Sequence, residues 1–156
     1  MISNLDDTDI RILDLLQHDA RTTTKELADK LGLTVTPVSV RIRKLEEAGY
    51  IKRYVAILDK DKIGKSLIAF TSIQLREHSQ DVLRSFEKAS GKLREVMECY
   101  RLTGRFDFLL KVAIRDMQEY NTFLIDKLAK LPNIGSVQSH FVLWEGKTET
   151  AYPLSK

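Results

Sequence analysis

The stretch "TTTKELADKLGLTVTPVSVRIRKLEEAG", Thr22 to Gly49, permits few folds. Thr23-Thr24-Lys25-Glu26 is a capping-box pattern, in which hydroxyl and carboxylate each satisfy a backbone N–H at a helix start. The helix it opens runs to about Leu31, and Gly32 then supplies a sharp turn where a positive φ costs least. A further helix begins after Thr34, its N-cap, and stops at Gly49. Pro37 falls in the first turn of that helix, where a missing N–H breaks no helical bond. Ala28 is small enough for close helix approach, and Val38 packs back inward. An earlier helix, about Asp7 to His18, carries a wide apolar stripe of Ile10, Ile12, Leu13, Leu15 and Leu16, with Asp6 or Asp7 as its cap. This is a helix-turn-helix pattern, whose second helix is the one offered to a DNA major groove.

The chemistry of that last helix agrees. Val38, Ile42 and Leu45 recur at helical spacing and face the core, which turns Thr36, Ser39, Val40, Arg43 and Lys44 outward. Arg41, Arg43, Lys44, Lys52 and Arg53 gather between residues 37 and 53 against only Glu46 and Glu47, although the overall net charge is just +3. Short polar residues reach base edges, arginine and lysine reach guanine or phosphate, and an exposed valine suits a thymine methyl. The expected DNA contacts are Thr36, Ser39, Val40, Arg41, Arg43, Lys44, Lys52 and Arg53, with "YIKRYVAILD" following as a strand.

"DKDKIGKS", Asp59 to Ser66, is charged and turn-rich. It divides a winged helix-turn-helix domain, residues 1–58, from a second domain, residues 67–156, with residues 59–66 as linker. In the second domain "SLIAFTSIQL" reads as a strand, followed by a helix from Ser79 to about Ser90. "LREVMECYRL" and "DFLLKVAI" are the next strands, Asp116-Met117-Gln118-Glu119 is a capping box for a helix reaching Leu131, and "SVQSHFVLWE" is a last strand. The order βαββαβ predicts a ferredoxin-like α+β sandwich with both helices on one face. Both faces of the strands are apolar: Phe108, Leu110, Val112 and Ile114 against Leu109 and Ala113, and Phe141 and Leu143 alternating with Val142 and Trp144. The face without helices is therefore expected to pack on a second copy, and a dimer suits a two-fold DNA site.

Other classes find no support in the sequence. There is no phosphate-binding Gly loop, no nucleophile elbow and no paired Cys/His spacing, so neither catalytic nor metal residues are expected. His18, His78 and His140 fall in different elements, the first two reading as surface or helix-end residues and His140 as a structural one. No apolar run spans a membrane, and a lone cysteine, Cys99, fits a reducing cytoplasm.

Beyond the local patterns, "LDDTDIRILDLLQHDARTTTKELADKLGL", "RIRKLEEAGYIKRYVAILD", "CYRLTGRFDFLLKV" and "LPNIGSVQSHFVL" resemble the Lrp/AsnC family of bacterial and archaeal transcription regulators over nearly the whole chain. The resemblance implies dimers, assembling further to tetramers or octamers, that respond to an amino acid bound at contacts between dimers and need no other cofactor. It also implies an effector site built from Leu102, Thr103, Gly104, Arg105, Asp107, Met117, His140, Phe141 and Val142. Within that set, Gly104 lets a ligand near backbone N–H groups, Asp107 can accept an α-ammonium, and Met117 can adapt to a side chain. Arg105, where the family is often acidic or small, can favour an acidic or polar effector, or pair with Asp107 or a neighbouring subunit. Two competing functions are an effector-independent architectural DNA-binding protein and an enzyme like the siroheme decarboxylases, which share this architecture; the basic third helix argues against the latter.

Overall fold

The computed structural model describes residues 5–154, which fall into two compact units, residues 5–57 with 147–154, and residues 58–146. In the first unit the helices are α1 (Asp7–His18), α2 (Thr24–Leu31) and α3 (Val35–Glu47). Asp6 is the cap of α1: its Oδ1 accepts from Asp9 N at 2.8 Å, and Asp9 Oδ2 accepts from Asp6 N at 3.3 Å. The expected box at α2 forms likewise, with Thr23 N donating to Glu26 Oε2 at 2.7 Å and Glu26 N to Thr23 Oγ1 at 3.3 Å. Gly32 ends α2 at φ 68° and ψ 33°, a left-handed conformation that a side chain would strain. Thr34 stands at the N-cap of α3 but makes no side-chain cap bond. Ile12, Leu16, Leu27, Ala28, Val38 and Leu45 form the buried core, with Ile42 partly buried beside them.

Two expectations for this unit are corrected. "YIKRYVAILD" does not form a strand: among the described residues nothing pairs with it, and Val55, Ile57 and Leu58 are exposed. β-branched composition favours a ladder only where a partner edge exists. Residues 147–154 do not cluster with the second domain as expected but with the first. The reason is a reciprocal amide contact, in which Tyr152 N donates to Gln17 Oε1 and Gln17 Nε2 to Tyr152 O, both at 2.8 Å.

The second unit holds β1 (Leu67–Leu75), α4 (Gln80–Ser90), β2 (Val96–Arg101), β3 (Phe108–Ile114), α5 (Met117–Thr122) and β4 (Ile134–Phe141). The sheet order is β2-β3-β1-β4 and every neighbouring pair is antiparallel, the ferredoxin-like arrangement. Ala69, Thr71, Ile73 and Leu75 of β1 and Phe108, Leu110, Val112 and Ile114 of β3 face the helices, where Leu83, Phe86, Tyr120, Phe123 and Leu128 complete the core. The opposite face carries Ile68, Leu109 and Ala113 together with an ion pair, Lys111 Nζ to Glu98 Oε1 at 3.0 Å.

The last helix also departs from expectation. After α5 the chain winds into a π-helical turn, Phe123–Lys127, and a 3₁₀ turn, Leu128–Lys130. Phe123 and Leu128 are both buried, and their spacing of five lies nearer a whole turn in π geometry than in α geometry. Leu143 and Trp144 lie beyond β4 and are 97% and 86% exposed, because the partner strand β1 begins at Leu67 and soon runs out.

Phe86 and Phe108 stack at 4.7 Å between ring centroids, both fully buried. Phe108→Ala is expected to destabilise the protein by about 3–5 kcal/mol, read as a lower urea midpoint at unchanged m.

Candidate nucleic-acid interface and effector site

The outward face of α3 is largely as the wheel predicts: Thr36, Ser39, Val40, Arg43 and Lys44 are exposed, as are Lys52 and Arg53 beyond it. Arg43 has only a 3.8 Å contact to Glu47 across an exposed surface, which costs little to break. Arg41 is different. Its Nη1 lies 2.6 Å from Asp6 Oδ2 and 2.7 Å from Asp9 Oδ1, so this nitrogen of the guanidinium is held at the start of α1. The charges answer each other. Asp6 is held below the ordinary carboxylate value by the Asp9 N–H and by Arg41, and the two aspartates raise Arg41. Tyr54, which the sequence did not single out, donates its hydroxyl to Glu46 Oε1 at 2.8 Å. Burial and that carboxylate push its pKa up to about 12, and the bond ties the segment after α3 back to the helix.

The turn between β2 and β3 is closed by Leu102 N donating to Asp107 O at 2.8 Å, and Gly104 takes φ 109°, open to glycine but strained for a side chain. A Cβ on Gly104 would meet nothing within 4 Å, so the tip is open ground. Asp107 is fully engaged: its N donates to Ile73 O at 2.8 Å, Oδ2 accepts from Leu75 N at 2.7 Å, and Oδ1 lies 3.2 Å from His78 Nε2. These contacts tie Asp107 into the turn, and none of them is to Arg105. The Arg105 guanidinium instead sits 5.4 Å above the Phe106 ring, with no carboxylate partner among the described residues. His78 emerges as a site residue; 29 positions separate it from Asp107, so no local pattern could have found it.

The other candidates stand elsewhere. Met117 is 55% exposed at the first turn of α5, where Asp116 Oδ1 caps Glu119 N at 2.8 Å. The capping box is only half formed, because Glu119 turns its carboxylate to Arg115 N at 2.7 Å and Lys65 Nζ at 2.9 Å. Lys65 first, then the Arg115 N–H, hold Glu119 low. Phe141 packs toward the helices against Tyr120, whereas His140 is exposed, accepting from Gln138 Nε2 at 3.3 Å rather than filling a structural pocket. Alternation puts Val142 on the His140 side. Register now decides the geometry. The turn is anchored at Ile73 and Leu75, while His140 and Phe141 pair with Phe70 and Ala69 and Met117 follows Ile114, the partner of Leu67. Five residues of strand separate the two levels, about 17 Å. Leu102, Thr103, Gly104 and Arg105 thus lie at one end of the sheet, and Met117, His140, Phe141 and Val142 toward the opposite end, Phe141 on the helix face and His140 and Val142 on the other.

Among the described residues no cluster of His, Cys, Asp or Glu could hold a metal, and no helix is long and apolar enough to cross a membrane.

A helix-turn-helix unit with a basic outer face, together with a ferredoxin-like unit that presents an open hairpin tip, defines a DNA-binding regulator with a ligand-binding module. Residues 5–52 match the winged helix-turn-helix DNA-binding family, and residues 68–152 match the Lrp/AsnC ligand binding domain. The chain is 44% identical over 154 residues, 99% of its length and 93% of the relative's, to the glutamate uptake regulatory protein of Zymomonas mobilis. It is 38% identical to the leucine-responsive regulatory protein of Escherichia coli, covering 92% of this chain and 88% of that one. A transcriptional regulator of Neisseria meningitidis solved as a complex with L-Met superposes with a TM-score of 0.91 at 35% identity, over 96% of this chain and 97% of that one. The chain belongs to the Lrp/AsnC family, and it is a DNA-binding transcription regulator.

The Asp6–Arg41 contact makes a prediction about acid. A carboxylate held low when folded contributes stability above its ordinary value of 3.8, and that contribution is lost as pH falls through the lower folded value. The urea midpoint should therefore fall more steeply below about pH 4 in the wild type than in Asp6→Asn. Equal slopes would show that the contact carries no linked stability.

Proposed function

We propose that this regulator reads DNA through Thr36, Ser39, Val40, Arg43 and Lys44, with Lys52 and Arg53 on flanking phosphates, and that an amino acid gates its binding or assembly. Arg41 is left out of the reading set because two carboxylates hold it. The observation that carries the effector reading is the division of the candidate residues between the two ends of one sheet. A small amino acid cannot bridge about 17 Å, so the site is composed from different copies, one giving the turn and another giving Met117 and the end of β4. The gate then lies at an assembly contact, and a ligand bound there changes oligomer size and DNA affinity together.

Several features support this reading. The sheet face opposite the helices carries the partly exposed side chains of Phe70 and Leu109, ground for a dimer contact from which tetramers or octamers are built. The Neisseria neighbour was solved with an amino acid, L-Met. The unpaired Arg105 guanidinium at the turn suits an effector with an acidic or polar side chain, and the Zymomonas relative is named for glutamate uptake. The protein works in the cytoplasm, where its single cysteine stays reduced and DNA is at hand.

Fluorescence anisotropy on an operator fragment tests the DNA half. Arg43→Ala should cost about 1–3 kcal/mol on specific sequence, and Lys44→Ala should lower the log–log salt slope by about 0.9. Arg41→Ala should leave that slope unchanged; a slope reduced like that of Lys44→Ala would return Arg41 to the DNA surface. The same assay with added amino acids tests the gate, and no change in affinity or oligomer size at millimolar concentration would overturn it.

A further inference from the structure

The helix-facing row of β1 reads Ala69, Thr71, Ile73, Leu75, and Thr71 is its one hydroxyl, wholly buried. Ser139 of β4 stands opposite Thr71 in register. Tyr120, buried on α5, sets its Oη 2.9 Å from Thr71 Oγ1 and shares a second, short hydrogen bond with Ser139 Oγ. Its ring also meets Phe141 edge-on, at 4.9 Å between centroids and 82° between planes. Hydroxyls in an apolar layer are costly unless satisfied, and here three satisfy one another.

Such a contact does what apolar packing does not. Dispersion between a helix and a sheet tolerates sliding and rotation, whereas hydrogen bonds to two strands fix both. The need is local: α5 has six residues before the π-helical turn, too few for its own ladder to set its position. Met117 sits one turn ahead of Tyr120 on this helix, and Phe141 lies under its ring.

We infer that Tyr120 is a positioning residue for the effector site, its hydroxyl latch to Thr71 and Ser139 fixing Met117 relative to Phe141. This rests on the reading above, in which Met117 and Phe141 meet the effector. Neither Tyr120, Thr71 nor Ser139 touches DNA or ligand in that reading, so their effect is transmitted only through the placement of α5.

The test is calorimetric titration of the full-length protein with each standard L-amino acid, followed by the tightest binder on two variants. Tyr120→Phe, which loses both hydrogen bonds of the latch, should bind that amino acid about tenfold more weakly, while its DNA affinity without amino acid is unchanged. The triple variant Thr71→Val, Tyr120→Phe, Ser139→Ala leaves no hydroxyl unpaired, so it should regain thermal stability without regaining amino-acid affinity. Unchanged affinity in Tyr120→Phe overturns the inference alone. So does wild-type affinity in the triple variant, which would reduce the latch to a stability device. A wild-type protein that binds no amino acid overturns the functional reading, and the inference falls with it.

Discussion

β1 is hydrogen-bonded along both edges, to β3 on one side and β4 on the other, and this double pairing governs what the second unit can do. A central strand fixes the level of everything attached to its neighbours. It holds the β2–β3 turn at its Leu75 end through the Asp107 carboxylate, and it holds β4's last residues and the start of α5 at its Leu67 end. Slipping β3 or β4 by one residue would send every apolar side chain to the wrong face, so the register cannot drift to bring the two ends together. The separation of the effector candidates is therefore a property of the fold, and it is the ground for proposing a site completed by a second copy.

The same logic of committed groups clarifies the DNA-binding unit. Basic residues between 37 and 53 look interchangeable by composition, yet Arg41 is held by Asp6 and Asp9 while Lys44 has no ion pair among the described residues. A guanidinium whose Nη1 already bridges two carboxylates is oriented by them, toward the start of α1. In the hairpin Asp107 is a structural clip in the way that Arg41 is, and Arg105 is the charged group left over.

Local rules made most of this legible. Caps at Asp6, Thr23 and Ser79, the turn at Gly32 and the alternation along β1 and β3 are written in neighbouring residues, and they give the helix-turn-helix and the βαββαβ order. What the sequence hid depends on partners far along the chain. Arg41 meets Asp6 across 35 positions, and Asp107 meets Leu75 N across 32. The segment after Gly49 departs from its pattern for the complementary reason: its residues favour a strand, but among the described residues no edge pairs with it. The tail's place is set by one side-chain amide, Gln17, to which Tyr152 is bonded across 135 positions. The π-helical turn was invisible because an apolar spacing of five fits no α-helical template.

The central claim is that one effector site draws on two copies of the chain, and subunit mixing tests it most directly. Gly104→Val strains the turn at a positive φ, and Met117→Lys puts a cation toward the other end of the sheet. Each full-length variant alone should fail to bind the amino acid that shifts wild-type DNA affinity. Mixed and reassembled together, they should recover binding, because one copy supplies an intact turn and the other an intact Met117. A mixture that binds no better than either variant alone would contradict a site shared between copies.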